Sequence, residues 1–413
     1  MSLPYRLLLL LTLVSCSASG TAKSRVENVR SGVHLSGFKV VTWNGPAEVR
    51  RYAFAPDQTE VLSFPFLRKV ITSQYLVFRR LGLFPPGSSE KALTQFVGEN
   101  PSWLAAFVVP SQKVVLVRPH VLRDLALLCH EFGHLASWQK GYWRAGSRFV
   151  PLVLERHRDP NFVDLDALIG AWALEEGIAE TTSRAAMHPG DYASRASIER
   201  EASMAKEMPS ILPPLVFTGP THAVYHDLRI DLKKGEVYVH KESLATSLRN
   251  LAYDTGLRFV LRQRYFGEKL EQSFARIWDG FQGGTKQLMF QGWKGGSLLA
   301  EKFRKQGGRI VPAPLGASRV GSFLMLRSLL AKDATRFAKA FALVKKLRDD
   351  FLLRWKGDGM LWVSDWNDGK SAETFQKWVA GSLGGASFSR DATRVVVTWA
   401  APKSNALQVL SAK

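Results

Sequence analysis

The chain has 413 residues, of which 46% are apolar, with 33 Gly and 19 Pro. This composition favours a globular protein of two or three domains and excludes a mainly disordered one. The net charge of +20 favours anionic partners or surfaces. No zinc-finger spacing, glycine-aromatic RNA motif or long basic run is present, so we expect anionic lipids, envelope polymers or acidic peptides rather than nucleic acid. The alternative is a dispersed charge that serves solubility.

The amino terminus predicts an exported protein. Arg6 precedes an apolar run at residues 7–14, which is too short to span a bilayer and is typical of a signal peptide. Leu13-Val-Ser-Cys16 resembles a bacterial lipobox, which implies a signal peptide of residues 1–15 and a lipid on Cys16. Ser17, rather than Asp, then implies the outer membrane. Ordinary cleavage within residues 17–20 is the alternative, and residues 16–36 are expected to form a polar tether.

Residues 37–120 are predicted to form an α/β unit. Phe38–Trp43 is typical of a strand, and an apolar-periodic run from Val61 to Leu81 predicts a helix. Residues 104–109 and 114–117 predict a hairpin across Pro110. This hairpin directly precedes the next helix, and we expect its edge to accept a peptide as an added strand.

An H-E-x-x-H array lies in the apolar, helix-forming run that begins at Leu125. On a helix, residues four apart share a face, so His130 and His134 can direct two imidazole nitrogens at one point. Glu131 is then placed to accept a proton from water at a bound zinc ion, as in metalloproteases. The alternative is a buried helix with two core histidines. Cys129 is expected to be a small core residue, and the two cysteines indicate no disulfide framework.

Zinc held by two histidines needs a third protein ligand. A second apolar helix, expected to be capped by Asp166, carries Glu175-Glu-Gly-Ile-Ala-Glu180. H-E-x-x-H followed by a helical E-G-x-A-E resembles the gluzincin clan of zinc metallopeptidases, most closely the catalytic domain of aminopeptidase-N-like enzymes. The resemblance implies that Glu176 is the third zinc ligand and that Glu180 orients His130.

The spacing departs from that family pattern, because 41 residues, positions 135–175, separate His134 from Glu176. An arginine-rich insertion over residues 142–168 is therefore expected near the cleft. Glu175 and Asp164 are alternative third ligands, and a further alternative is that Glu175 and Glu176 both face solvent.

A later stretch, Tyr253-Asp-Thr-Gly256, resembles the clan's Y-x-x-G helix. The resemblance implies that Tyr253 donates a hydrogen bond to the oxyanion of the tetrahedral intermediate. Tyr225, His222 and His226 are the alternatives for this role. Residues 121–267 thus form the expected helical, zinc-binding catalytic part.

Residues 268–413 are expected to form a mostly helical domain that walls the cleft or docks on the envelope. The predicted helices are Leu270–Phe281, Ser297–Lys305, Ser318–Leu330, Ala334–Leu353 and Ala372–Leu383, with a last strand at Thr393–Trp399.

Together these patterns predict an α+β fold, in which a small mixed sheet with an edge hairpin packs on a mainly helical, thermolysin-like domain. The predicted function is that of an exported, lipid-anchored zinc metallopeptidase that cleaves a peptide or protein substrate. The alternative is a non-catalytic, envelope-binding lipoprotein that retains a zinc peptidase scaffold. Glu131 distinguishes the two hypotheses, because a binding protein does not need it.

Overall fold

The computed structural model describes residues 39–42, 73–83, 105–109, 112–140, 164–187, 216–219, 222–225, 228–231, 236–239, 248, 251–264, 268–281, 284–290, 316–331, 336–355 and 359–400. The expected signal peptide, Cys16 and the tether lie outside these residues. So do most of the predicted helix Val61–Leu81, the predicted helix Ser297–Lys305 and residues 142–163 of the expected insertion.

The first sheet is small and mixed, as predicted. It contains β1 (Lys39–Thr42), β2 (Ala106–Val109) and β3 (Val114–Val117) in the order β1-β3-β2. β1 runs parallel to β3, whereas β2 and β3 form the predicted antiparallel hairpin. All residues of β2 and β3 are buried, which suits their run of β-branched side chains.

The two helices that carry the H-E-x-x-H array and the acidic motif pack side by side. After a short helix, α1 (Tyr75–Arg80), and a 3-10 turn, α2 spans Leu125–Lys140, which confirms the predicted helix. Its first turn is capped by Asp124, whose Oδ1 accepts from the Leu127 N–H (3.1 Å). The side chain of Leu128 packs into the apolar cluster under the first sheet, so α2 is supported from that side.

Helix α3 (Leu165–Met187) is buried along most of its length. The expected cap, Asp166, is wrong. The cap is Asp164, whose Oδ1 accepts from the Ala167 N–H (3.1 Å), while the Asp166 side chain binds Thr285 instead. Asp at either position satisfies the sequence rule for a cap, and tertiary contacts decided between them.

Glycines let two helical segments pack closely against α3. The Tyr253 motif forms a π-helical turn (Leu251–Gly256) that continues into α4 (Leu257–Gln263). A Cβ added to Gly133 on α2 would lie 2.7 Å from Cα of Ala179, and one added to Gly177 would collide with the backbone of Gly256. The small residues therefore bring α2, α3 and the π turn together around one point.

Four strands form a second, antiparallel sheet in the order β4-β5-β6-β7: β4 (Val216–Gly219), β5 (His222–Tyr225), β6 (Leu228–Asp231) and β7 (Glu236–Val239). The expectation of a helical part over residues 121–267 missed this sheet. The alternation of apolar and polar residues in β6 and β7 is the signal that could have found it.

The described part of the C-terminal third contains the predicted last strand and, beyond the prediction, four further strands among its helices. Helices α5 (Leu270–Gly280), α6 (Thr285–Met289), α7 (Gly321–Leu330), α8 (Phe337–Lys345) and α9 (Gly369–Ala380) accompany β8 (Gly316–Ser318), β9 (Leu347–Arg354), β10 (Met360–Trp366), β11 (Ser387–Asp391) and β12 (Arg394–Trp399). These strands form an antiparallel sheet in the order β11-β12-β10-β9-β8.

The predicted helix Ala334–Leu353 is wrong from Leu347 onward, and Ser318 lies in a strand rather than in a helix. Phe351, Leu352 and Leu353 are buried in consecutive positions. A continuous apolar run of this kind fits either a buried helix or a strand buried on both faces. Pairing of β9 with β10 on one side and β8 on the other selected the strand.

One apolar core runs from α1 and α3 to the C-terminal sheet; Leu174, Ile178, Trp278, Trp362 and Trp399 all belong to it. The mixed helices and sheets confirm an α+β fold. Among the residues that the structure describes, no helix has both the length and the hydrophobicity needed to cross a bilayer.

Candidate metal centre

Three ligand atoms from α2 and α3 converge on one point. Nε2 of His130 lies 3.2 Å from Nε2 of His134, and Oε2 of Glu176 lies 3.0 Å and 3.5 Å from these two nitrogens. The side chains of His130 and Glu176 are buried, and His134 is partly buried. The group could hold a metal ion.

The spacing of these atoms fits a tetrahedral ion. Ligands about 2.0–2.1 Å from zinc at tetrahedral angles lie roughly 3.3 Å from one another, and the three distances of 3.0, 3.2 and 3.5 Å bracket that value. Trp172 lies one turn before Glu176 and donates from Nε1 to the other carboxylate oxygen, Oε1 (2.8 Å). That bond leaves Oε2 to face the histidines. Sequence reasoning missed Trp172, although its i, i+4 spacing was visible.

The electrostatics of the centre favour a cation. Burial opposes a charged His130, yet the carboxylates of Glu176 and Glu180 outweigh burial and raise the pKa of His130 to about 9. The pKa of His134 is also raised well above its ordinary value: burial again opposes the charge, and Glu176 and Glu175 outweigh it. A field that favours a proton on both imidazoles also favours a divalent ion between them.

Each histidine has its own carboxylate partner on the nitrogen that faces away from the centre. Oε2 of Glu180 lies 3.5 Å from Nδ1 of His130, and Oε1 of Glu175 lies 3.4 Å from Nδ1 of His134. Ser137 donates to the other oxygen of Glu175 (2.8 Å). Such contacts fix the tautomer and orientation of a ligating imidazole.

The structure distinguishes Glu176 from Glu175 and Asp164, the two alternative third ligands. Glu175 is buried, but it contacts the outer nitrogen of His134 rather than the inner one. Asp164 pairs with Arg319 (2.6 Å) and caps α3, so it is not part of the centre. The sequence suggested two roles for Glu175, as a metal ligand or as a residue that faces solvent. Its role beside His134 could have been found from Ser137, which lies one turn after that histidine.

Glu131 and Tyr253 border the three ligands. Glu131 is 4% exposed; burial raises its pKa, and the charges of His134 and His130 oppose that rise. The ring of Tyr253 stacks on that of His130 with centroids 5.5 Å apart and planes 23° apart. Burial and then the charge of Glu176 raise the pKa of Tyr253 well above its ordinary value.

Of the alternatives to Tyr253, His222 and Tyr225 lie on β5, and His226 lies outside the described residues. Cys129 is partly exposed; burial of its sulfur and then the charge of Asp124 raise the pKa of its thiol to about 11. A raised pKa disfavours the thiolate that a nucleophile needs, and Cys129 is not among the three converging ligands.

We expect Glu175→Gln and Glu180→Gln each to weaken zinc binding by roughly tenfold to a hundredfold, the usual effect of losing a carboxylate that orients a ligating histidine. The amides keep the volume of the side chains but remove the charge. Competition against a chromophoric chelator would measure the dissociation constants. Unchanged affinity in both variants would contradict the orienting role.

No protein-family model matches this chain, and neither a curated protein nor a solved structure is found to be similar to it. The inference of function therefore depends on the chemistry of the centre itself.

Proposed function

We propose that this protein is a zinc-dependent metallopeptidase of the gluzincin type. The observation that carries the proposal is the convergence of His130, His134 and Glu176 to within 3.0–3.5 Å, with Glu131 buried next to the two histidines in the chain. Two imidazoles and one carboxylate form a common ligand set of catalytic zinc, which keeps a fourth position for water or substrate.

A bound zinc ion would supply Lewis acidity to the substrate carbonyl and lower the pKa of water beside it. Glu131 then accepts the proton that water loses as it attacks the carbonyl carbon, and transfers it to the leaving nitrogen. The hydroxyl of Tyr253 donates a hydrogen bond to the carbonyl oxygen as negative charge develops there. Glu175, Glu180 and Ser137 hold the two imidazoles in place.

The edge of the first sheet favours a peptide as the substrate. Among the described strands, β2 pairs with β3 alone and lies at the end of the order β1-β3-β2. It also packs against α2, which carries both histidines. An extended peptide can add to a sheet edge through main-chain hydrogen bonds, so a peptide paired with β2 would lie on the sheet that packs against the histidine helix.

A digest of a peptide library tests the proposal. The protein as purified should cleave peptides, and cleavage should stop after treatment with a chelator. Activity should return when zinc is added back at stoichiometric amounts. The cleavage products also show whether cuts are internal or terminal. Zinc-loaded protein that leaves the whole library intact would favour the non-catalytic alternative.

We expect Tyr253→Phe to lower kcat by roughly a hundredfold, the usual scale for one donor to a developing oxyanion. The phenyl ring preserves the stacking on His130, so the fold and the zinc content should persist. Steady-state kinetics with metal analysis would measure both. A rise in KM with kcat unchanged would make Tyr253 a substrate contact and transfer the oxyanion role to Tyr225, His222 or His226.

The proposal includes export and a lipid on Cys16, from the signal-peptide pattern and the lipobox resemblance. In a Gram-negative host, Ser17 after the cysteine is expected to direct the protein to the outer membrane. We expect mass spectrometry of the mature protein to find an acylated N-terminal Cys16. An unmodified amino terminus at or after Ser17 would contradict the lipid anchor and leave the peptidase proposal intact.

A further inference from the structure

A buried polar junction fixes the first turn of α3, about ten residues before Glu176. Asp166 is 4% exposed, and its Oδ1 accepts from the backbone N–H (2.8 Å) and the hydroxyl (2.5 Å) of Thr285 at the start of α6. The N–H of Asp166 donates to the carbonyl oxygen of Arg319 (3.2 Å). Nη1 of Arg319 also lies 3.7 Å from Oδ2 of Asp166. Asp166 therefore joins α3 to α6 and to the segment that leads from β8 to α7.

Two glycines make room for the Asp166 carboxylate. Gly284 and Gly321 have φ angles of +96° and +76°, in the left-handed region that favours glycine. A Cβ on either residue would collide with the Asp166 side chain. The backbone at the start of α6 and at the start of α7 is thus packed closely against the Asp166 carboxylate.

The junction continues into the C-terminal sheet. Asp350 on β9 accepts from the N–H groups of Val320 (2.7 Å) and Gly321 (3.0 Å) and from Nε1 of Trp362 on β10 (3.1 Å). The start of α7 is therefore held between Asp350 on one side and Asp166 on the other. Through these bonds, a displacement of the sheet would displace α3.

We propose that Asp166 is a positioning residue for the metal centre, through which the C-terminal sheet holds α3 at the axial position where Glu176 meets His130 and His134. This inference rests on the proposed zinc site. Helix α3 is continuous from Asp166 to Glu180, and a helix transmits an axial shift along its length. Since Oε2 of Glu176 lies only 3.0 Å and 3.5 Å from the two imidazoles, a shift of about 1 Å would spoil the ligand geometry.

The test compares the zinc affinity of two full-length variants with similar substitutions. In Asp166→Asn, an amide replaces the carboxylate beside Arg319. We expect the zinc dissociation constant to rise by roughly tenfold to a hundredfold. The control is Asp365→Asn on β10, a carboxylate of the same sheet whose partners Thr393 (3.0 Å) and Arg348 (3.8 Å) are not on α3. It should lose stability but keep its affinity within about twofold of the wild type.

A second pair of variants keeps the test decisive if Asp166→Asn does not fold. Thr285→Val retains the backbone bond to Asp166 and removes only the hydroxyl bond, so a smaller loss of zinc affinity in the same direction is expected. Thr285→Ser restores the hydroxyl and should restore the affinity. A purely structural role would lower the melting temperature of Thr285→Val without separating it from Asp365→Asn in zinc affinity.

The outcomes separate this inference from the proposed function. If the folded Asp166→Asn and Thr285→Val variants bind zinc as tightly as the wild type, the positioning role is wrong and the peptidase proposal is unaffected. If the wild type binds zinc but cleaves nothing, the peptidase proposal fails and the positioning role stands. If the wild type binds no zinc, both are overturned.

Discussion

Glu131→Gln is expected to retain zinc and lose hydrolysis, with kcat lower by roughly a thousandfold or more. General bases contribute on the order of a hundredfold to ten-thousandfold to catalysis, and here one carboxylate would serve both proton transfers. The amide has nearly the same shape but cannot accept the proton of water. Because Glu131 is not one of the three converging ligands, its replacement should leave the metal in place.

The measurement combines turnover on a cleaved library peptide with zinc content of the same preparation. A matched control is Glu271→Gln on α5, which replaces a partly exposed carboxylate that pairs with Lys140 of α2 (3.0 Å). An ion pair at the surface contributes about 0–1 kcal/mol to stability, so the control should turn over at nearly the wild-type rate. Near-normal turnover of Glu131→Gln would mean that another group takes the proton.

The sequence predicted the elements whose signals are local. The period of apolar residues before and after His130 located α2, whose last residue is Lys140, before Gly141. The two β-branched runs around residues 110–113 located the β2–β3 hairpin with its boundaries close to those observed. In both cases the residues that determine the element lie within it.

The sequence failed where distant contacts decide the outcome. Leu347-Arg-Asp-Asp-Phe-Leu-Leu-Arg354 fits a helix locally, and only its pairing with two other strands makes it β9. Likewise, Asp164 and Asp166 are equivalent caps by sequence rules, and the binding of Thr285, 119 residues away from Asp166, distinguishes them. No pattern within either segment contains that information.

The sequence predicted only part of the candidate centre, because some of its geometry is local and the rest depends on distant contacts. The i, i+4 spacing of the histidines is local, so their shared direction follows from helix geometry alone. The choice among Glu175, Glu176 and Asp164 depended on how α3 is placed against α2. That placement is set by Gly133 and Ala179 in close contact, which a single sequence does not reveal.

Replacing Glu176 is expected to have the largest effect on metal binding. Structural zinc in zinc-finger peptides binds with an apparent free energy of roughly 10–16 kcal/mol. On that scale, loss of one of three protein ligands should cost about 3–5 kcal/mol. That cost corresponds to a rise of roughly a hundredfold to a thousandfold or more in the dissociation constant. Glu176→Gln suits the test, because its amide oxygen can still accept from Trp172 while the negative charge is lost.

The adjacent residue provides the control for Glu176→Gln. Glu175 is on the same helix turn and is equally buried, but of the two nitrogens of His134 it contacts the outer one. We therefore expect zinc affinity to fall in the order wild type, Glu175→Gln, Glu176→Gln, as measured by chelator competition on folded protein. Full zinc content in Glu176→Gln with loss in Glu175→Gln would reverse the assignment of the third ligand. Equal losses in both would indicate that the charge of α3, rather than coordination by one carboxylate, retains the ion.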